Sequence, residues 1–132
     1  MSQPELDIHF LHRAPTDPID APPLLFVHGA FAGAWCWDEH FLPWFQARGF
    51  DAWALDLPGR RGRPDYDNLQ GFTLMDYLDA VLAAVDGFDR PPVVIGHSMG
   101  GFLAWRAAEN CTLAGLVIMA PVPPKGLAAP AM

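Results

Sequence analysis

The residues best placed to do chemistry are Gly96-His97-Ser98-Met99-Gly100-Gly101. They follow the apolar run Pro92-Val93-Val94-Ile95 and lead into a helical pattern over 102–110. A serine in a G-x-S-x-G pattern between a strand and a helix sits on a nucleophile elbow. The sharp turn lifts the hydroxyl above the sheet edge. Gly96 and Gly100, two residues to either side of Ser98, supply the small size that such a turn demands. At the start of the following helix, free N–H groups and the helix dipole favour the negative charge that develops when a serine attacks a carbonyl carbon. The plainer alternative is an ordinary strand-to-helix turn that contains a serine. The strand before, the helix after and Gly101 weigh against it.

A second stretch, His28-Gly29-Ala30-Phe31-Ala32-Gly33-Ala34-Trp35, also follows a buried strand. Its small residues let the backbone bend so that N–H groups point into a cleft. Acyl transfer needs two such donors for the oxyanion, one from a loop of this kind and one just after the nucleophile. Here these are the backbone N–H groups of Ala30 and Met99. A Gly-rich loop that only caps the strand is the alternative. His28 is expected to brace this loop by hydrogen bonds rather than to act as a base. Phe31 is the expected contact for a small, apolar acyl group.

A serine nucleophile also needs a base. The five histidines are His9, His12, His28, His40 and His97, and none follows Ser98. His97 adjoins Ser98, where neighbouring side chains diverge. His9 and His12 fall on the first strand and His40 in the first helix. None is read as the base, so the catalytic acid and base are expected to be absent from this chain. Loss of the base costs about 10⁶-fold in kcat in a serine protease, so the chain alone is expected to be inactive in an ordinary assay. Cys36 and Cys111 fit neither a disulfide framework nor a metal-ligand spacing. No metal and no cofactor is expected.

The elements that must hold these residues alternate between apolar runs and helical patterns, which signals α/β with a mostly parallel sheet and flanking helices. Strands are expected at 5–13 (near the sheet edge), 24–27, 50–57, 92–95 and 113–120. Residues 14–23, with four prolines, read as a loop. The spacing of Trp37, Phe41, Trp44 and Phe45 predicts a helix over 36–48, stopped by Gly49. Thr73 and Asp76 form a capping box. The helix that they open carries one apolar stripe of Leu74, Tyr77, Leu78, Val81, Leu82 and Val85, and ends at Asp86-Gly87. Residues 59–72 read as a polar loop, and 121–132 as loop or disordered tail.

The chain has 132 residues, 52% of them hydrophobic and 17% charged, as expected of one globular domain. A net charge of -7 disfavours nucleic acid or an anionic membrane as main partner. The polar N-terminus carries no visible signal peptide, and no apolar run approaches the roughly 20 residues of a membrane helix. With two thiols outside any disulfide pattern, a cytoplasmic location is expected.

Three motifs, Leu25-Phe26-Val27-His28-Gly29-Ala30, Ala54-Leu55-Asp56-Leu57-Pro58-Gly59 and Val94-Ile95-Gly96-His97-Ser98-Met99-Gly100-Gly101, occur in order. Together they resemble the α/β-hydrolase superfamily, in its esterase, haloperoxidase and hydroxynitrile-lyase-like branch. The resemblance implies Ser98 as nucleophile, Ala30 and Met99 as oxyanion donors, and Asp56 to Gly59 as a structural turn. Arg60-Arg61 precede Gly62 where the family usually has one residue. The family places its acid and then its histidine in later strand-to-loop turns. The sequence is therefore expected to hold the N-terminal part of the fold over 1–124, reaching about the sixth strand. A tail over 125–132 then marks the start of a cap region.

The function that the resemblance implies is ester or related acyl hydrolysis through a Ser98 acyl-enzyme, on a small-molecule acyl substrate. A lyase or cofactor-free haloperoxidase on the same elbow is the alternative among enzymes. A non-catalytic binding or scaffold module is the alternative outside them. Residues 113–120 carry no charge and no proline. As an edge strand they are expected to self-associate or to pair with a complementing chain.

Overall fold

Every apolar run read as a strand enters one five-stranded sheet in the computed structural model, which describes residues 8–60 and 71–121. The strands are β1 (His9–Arg13), β2 (Leu24–Val27), β3 (Ala52–Asp56), β4 (Val93–His97) and β5 (Gly115–Met119), in the spatial order β1-β3-β2-β4-β5. Only β1 runs antiparallel to its neighbour; β3, β2, β4 and β5 pair in parallel. β2 lies near the middle and is buried along its whole length, as an unbroken apolar strand between two helical layers should be.

The pleat sends alternate side chains into two cores. On one face Leu25, Val27, Leu55 and Val94 pack with Tyr77, Leu78 and Val81 of α3 (Leu74–Asp86) and with Leu103, Ala104 and Ala107 of α4 (Met99–Ala108). On the other, Leu24, Phe26, Ala52, Ala54 and Ile95 meet Trp37 and Leu42. β1 and β5 are the two edges.

The helix expected over 36–48 is two short helices, α1 (Trp35–Asp38) and α2 (Phe41–Gln46). Pro43 is the cause. In a continuous helix its ring would strike the carbonyl of Glu39 and it has no N–H to donate, whereas the first turn of a new helix tolerates it. Trp37 and Leu42 are buried, but Phe41 and Trp44 lie outside. Gly49, at a φ of +90°, turns the chain after α2 into β3.

α3 begins as expected. Asp76 N–H donates to Thr73 Oγ1 (3.1 Å), and Thr73 N–H donates to Asp76 Oδ2 (2.8 Å). Its buried stripe is Tyr77, Leu78, Val81 and Val85, joined by Ala80 and Ala84. Leu74, assigned to that stripe from its spacing, is in the first turn and exposed. Both cysteines are free. Among the described residues no helix is long and apolar enough to cross a membrane. Most of the expected 59–72 loop, the tail past Pro121 and the boundary at 124 lie outside the described residues.

Candidate active site

The C-terminal ends of β2, β3 and β4 converge on one edge of the sheet, where β2 runs into His28-Gly29, β3 into Leu57-Pro58 and β4 into Ser98. Ser98 joins β4 directly to α4. It is a non-glycine residue at φ 57° and ψ -121°. Such a backbone costs about 1–3 kcal/mol and persists only where the surroundings enforce it.

Here they do. A Cβ added to Gly96 would fall against the carbonyl oxygen of Gly100 and 2.7 Å from the Gly101 nitrogen. One added to Gly100 would fall against the Val27 carbonyl oxygen and 2.5 Å from that of His28. The two glycines thus permit the elbow to close on itself and to press against the end of β2. The Ser98 N–H donates to the Met119 carbonyl (3.0 Å), which anchors the turn to β5. The first turn of α4 closes by bonds from the Gly101 and Phe102 N–H groups to the Ser98 carbonyl, at 2.9 and 3.2 Å. The Met99 N–H, at the first helical position, has no intrahelical acceptor.

The loop after β2 lies beside Ser98. A Cβ on Gly29 would sit 3.2 Å from Ser98 Cβ and 3.7 Å from its Oγ, so any side chain there would crowd the serine. The Gly29 carbonyl faces His28 Nδ1 at 2.7 Å and accepts from the Ala32 N–H at 3.3 Å. That carbonyl shares its peptide plane with the Ala30 N–H. In a trans peptide the two point in opposite directions, so holding the carbonyl sets the direction of the donor.

His28 is fully buried, and its Nε2 accepts from the Leu57 N–H at 3.1 Å. That bond puts the ring proton on Nδ1, which donates to the Gly29 carbonyl. Burial, opposed in part by the Gly29 bond, lowers its pKa to about 4, with the nearby Arg60 charge acting in the same direction as burial. His28 is therefore a neutral brace. Phe31, the next residue along from Ala30, is 79% exposed on this loop.

The remaining histidines stand elsewhere. His9 Nδ1 lies 2.6 Å from Asp56 Oδ2, His12 Nε2 lies 2.5 Å from Asp51 Oδ1, and His40 is near Glu39 at 4.0 Å. Among the described residues none of them, and no other side chain, hydrogen-bonds Ser98 Oγ. The described residues also hold no group of three or more His, Cys, Asp or Glu able to bind a metal ion.

Two residues have roles here that their sequence context does not reveal. Asp56, at the end of β3, is buried and takes the Ala34 N–H at 2.6 Å on Oδ1 while Oδ2 faces His9. It ties the far end of the Ala30 loop to β3 and β1. Arg60 is also buried, although a polar, Gly-rich stretch predicts a solvated side chain. Its guanidinium donates to the Ala30 carbonyl at 2.5 Å, the Tyr77 hydroxyl at 2.7 Å and the Pro58 carbonyl at 2.9 Å. The one signal for it was the extra arginine after Pro58-Gly59.

The family model described as the alpha/beta hydrolase family matches residues 24–132. The chain is 38% identical over 90 residues to "Probable esterase PIR7A" of Oryza sativa subsp. indica, covering 65% of this chain and 33% of that protein. It is 33% identical over 89 residues to "Methylesterase 7" of Arabidopsis thaliana, covering 64% and 33%. Among solved structures, the monoacylglycerol lipase of Paleococcus ferrophilus superposes with a TM-score of 0.70 at 20% identity, over 93% of this chain and 48% of that one. The match to the lipase speaks to the fold. The chain spans about a third of the length of these curated relatives.

Proposed function

Because the chain belongs to the alpha/beta hydrolase family, we propose that Ser98 is the nucleophile of an ester-bond hydrolase. Its Oγ adds to the carbonyl carbon of a small acyl ester. The resulting oxyanion accepts from the N–H groups of Ala30 and Met99. Collapse breaks the ester C–O bond, releases the alcohol and leaves the acyl group on Ser98. Water then cleaves that bond, and the carboxylic acid departs. Phe31, exposed beside the donor loop, meets the acyl group.

The observation that carries this reading is the enforced backbone of Ser98, held at φ 57° by glycines that cannot bear a Cβ. Strain of that kind collects at working sites. Resemblance to an esterase and a methylesterase favours ester chemistry. Among the described residues no histidine hydrogen-bonds Ser98 Oγ, so its proton goes to a base that these residues do not supply.

Among the described residues β5 is an open edge, with Leu116 and Val117 37% and 44% exposed. It is the place for a further strand, from the rest of the polypeptide or from a second copy. Sedimentation of the chain with Val117→Lys should give monomer where the wild type associates; equal association of both would reject pairing at this edge.

A fluorophosphonate, which labels activated serines, tests the proposal. Full-length protein should label at Ser98 and lose labelling in Ser98→Ala, while the 132-residue chain alone labels weakly and recovers when the remaining polypeptide is added. Full-length protein that does not label would reject the nucleophile role.

A further inference from the structure

We propose that Arg60 is a positioning residue for the oxyanion donor Ala30, acting with Tyr77 as a clamp on the Ala30 carbonyl. This rests on the acyl-transfer reading of Ser98. Ala30 joins two peptide planes, and its N–H lies in the first of them. The one before it is held through the Gly29 carbonyl by His28 and by the Ala32 N–H. The one after it is held through the Ala30 carbonyl by Arg60. With both planes fixed, φ and ψ of Ala30 are fixed, and so is the direction of its N–H.

The clamp needs a rigid support, and α3 supplies it. One Arg60 nitrogen (Nη2) reaches Ala30, while the other (Nη1) reaches the Tyr77 hydroxyl and the Pro58 carbonyl. The guanidinium also lies over the Tyr77 ring, 4.9 Å from its centroid. The planar fork of an arginine spans three elements at once, which a lysine could not do.

Arg60 reaches the loop as a buried cation. Among the described residues no carboxylate pairs with it, and its Nε is buried without a hydrogen-bond partner. Its charge is felt on this loop, since it helps to keep His28 neutral. The positive charge of Arg60 beside the loop favours the oxyanion forming there.

The test compares an ester with the matching thionoester, whose carbonyl sulfur is a poor acceptor for the loop N–H groups. In full-length protein, Arg60→Met should lower kcat/KM for the ester by about 10²-fold, the scale of a small misplacement of catalytic groups. The thionoester, already lacking those bonds, should slow far less, so the ester-to-thionoester ratio falls. Arg60→Lys should recover part of the ratio. Tyr77→Phe keeps the ring and removes only the hydroxyl, and should shift the ratio in the same direction by less; it carries the test if Arg60→Met does not fold. A ratio unchanged in Arg60→Met, or in Tyr77→Phe where Arg60→Met does not fold, overturns the positioning role while leaving Ser98 chemistry intact. Wild-type protein inert to both substrates and to fluorophosphonate overturns the acyl-transfer reading itself, and this inference with it.

Discussion

The imidazole of His28 accepts the Leu57 N–H at 3.1 Å, joining the turn after β3 to the end of β2. One uncharged ring thus serves two backbone groups, an N–H at Nε2 and the Gly29 carbonyl at Nδ1. Protonation would place a second hydrogen on Nε2, facing the Leu57 N–H, and would bury a charge.

The first prediction follows from that. In the unfolded chain His28 takes its proton near pH 6.5, and in the folded chain only near pH 4. Between these values the unfolded state binds more protons, so stability is full above pH 6.5 and falls as the pH drops toward 4. The loss levels off below 4, at about 3 kcal/mol. Urea unfolding from pH 7 to pH 4 should show this slope in the wild type and a shallower one in His28→Asn. Equal slopes would mean that another group governs acid sensitivity.

A second prediction concerns the elbow glycines. Gly96→Ala and Gly100→Ala each drive a methyl group into backbone carbonyls that cannot yield. Each should cost more than about 3 kcal/mol, beyond the usual range for an overpacked side chain. Gly87→Ala is the control. Its added Cβ would be 3.4 Å from the Ala84 carbonyl, at an ordinary φ of -75°, and stability should change by less than about 1 kcal/mol. Similar losses at all three positions would count against a closed elbow.

The strain at Ser98 gives a third. Ser98→Gly relieves a φ of 57° at a position with no side-chain capping bond. It should raise the unfolding free energy by about 1 kcal/mol while abolishing fluorophosphonate labelling. A Ser98→Gly protein less stable than the wild type would show that the serine is not held under strain.

Much of this architecture can be read along the chain, because strands β2 and β4 are short apolar runs ending in Gly motifs, and Thr73 with Asp76 announces α3. Ser98, Gly96 and Gly100 are local in sequence and so were legible. What was hidden depends on contacts between distant residues. Asp56 is recognisable as a loop anchor only once Ala34 is seen to donate to it. Arg60 becomes a clamp only when Ala30 and Tyr77 arrive from either side. Pro43, by contrast, was visible: its missing N–H breaks the aromatic periodicity of 36–48 into α1 and α2, and periodicity alone does not register that.

The most direct test of the central claim is to trap the acyl-enzyme. Full-length protein quenched in acid during turnover of an activated acetyl ester, then digested and weighed by mass spectrometry, should carry the acetyl group on the peptide containing Ser98. The modification should be absent in Ser98→Ala. Acetyl found on a different residue, or retained in Ser98→Ala, would contradict Ser98 as the nucleophile.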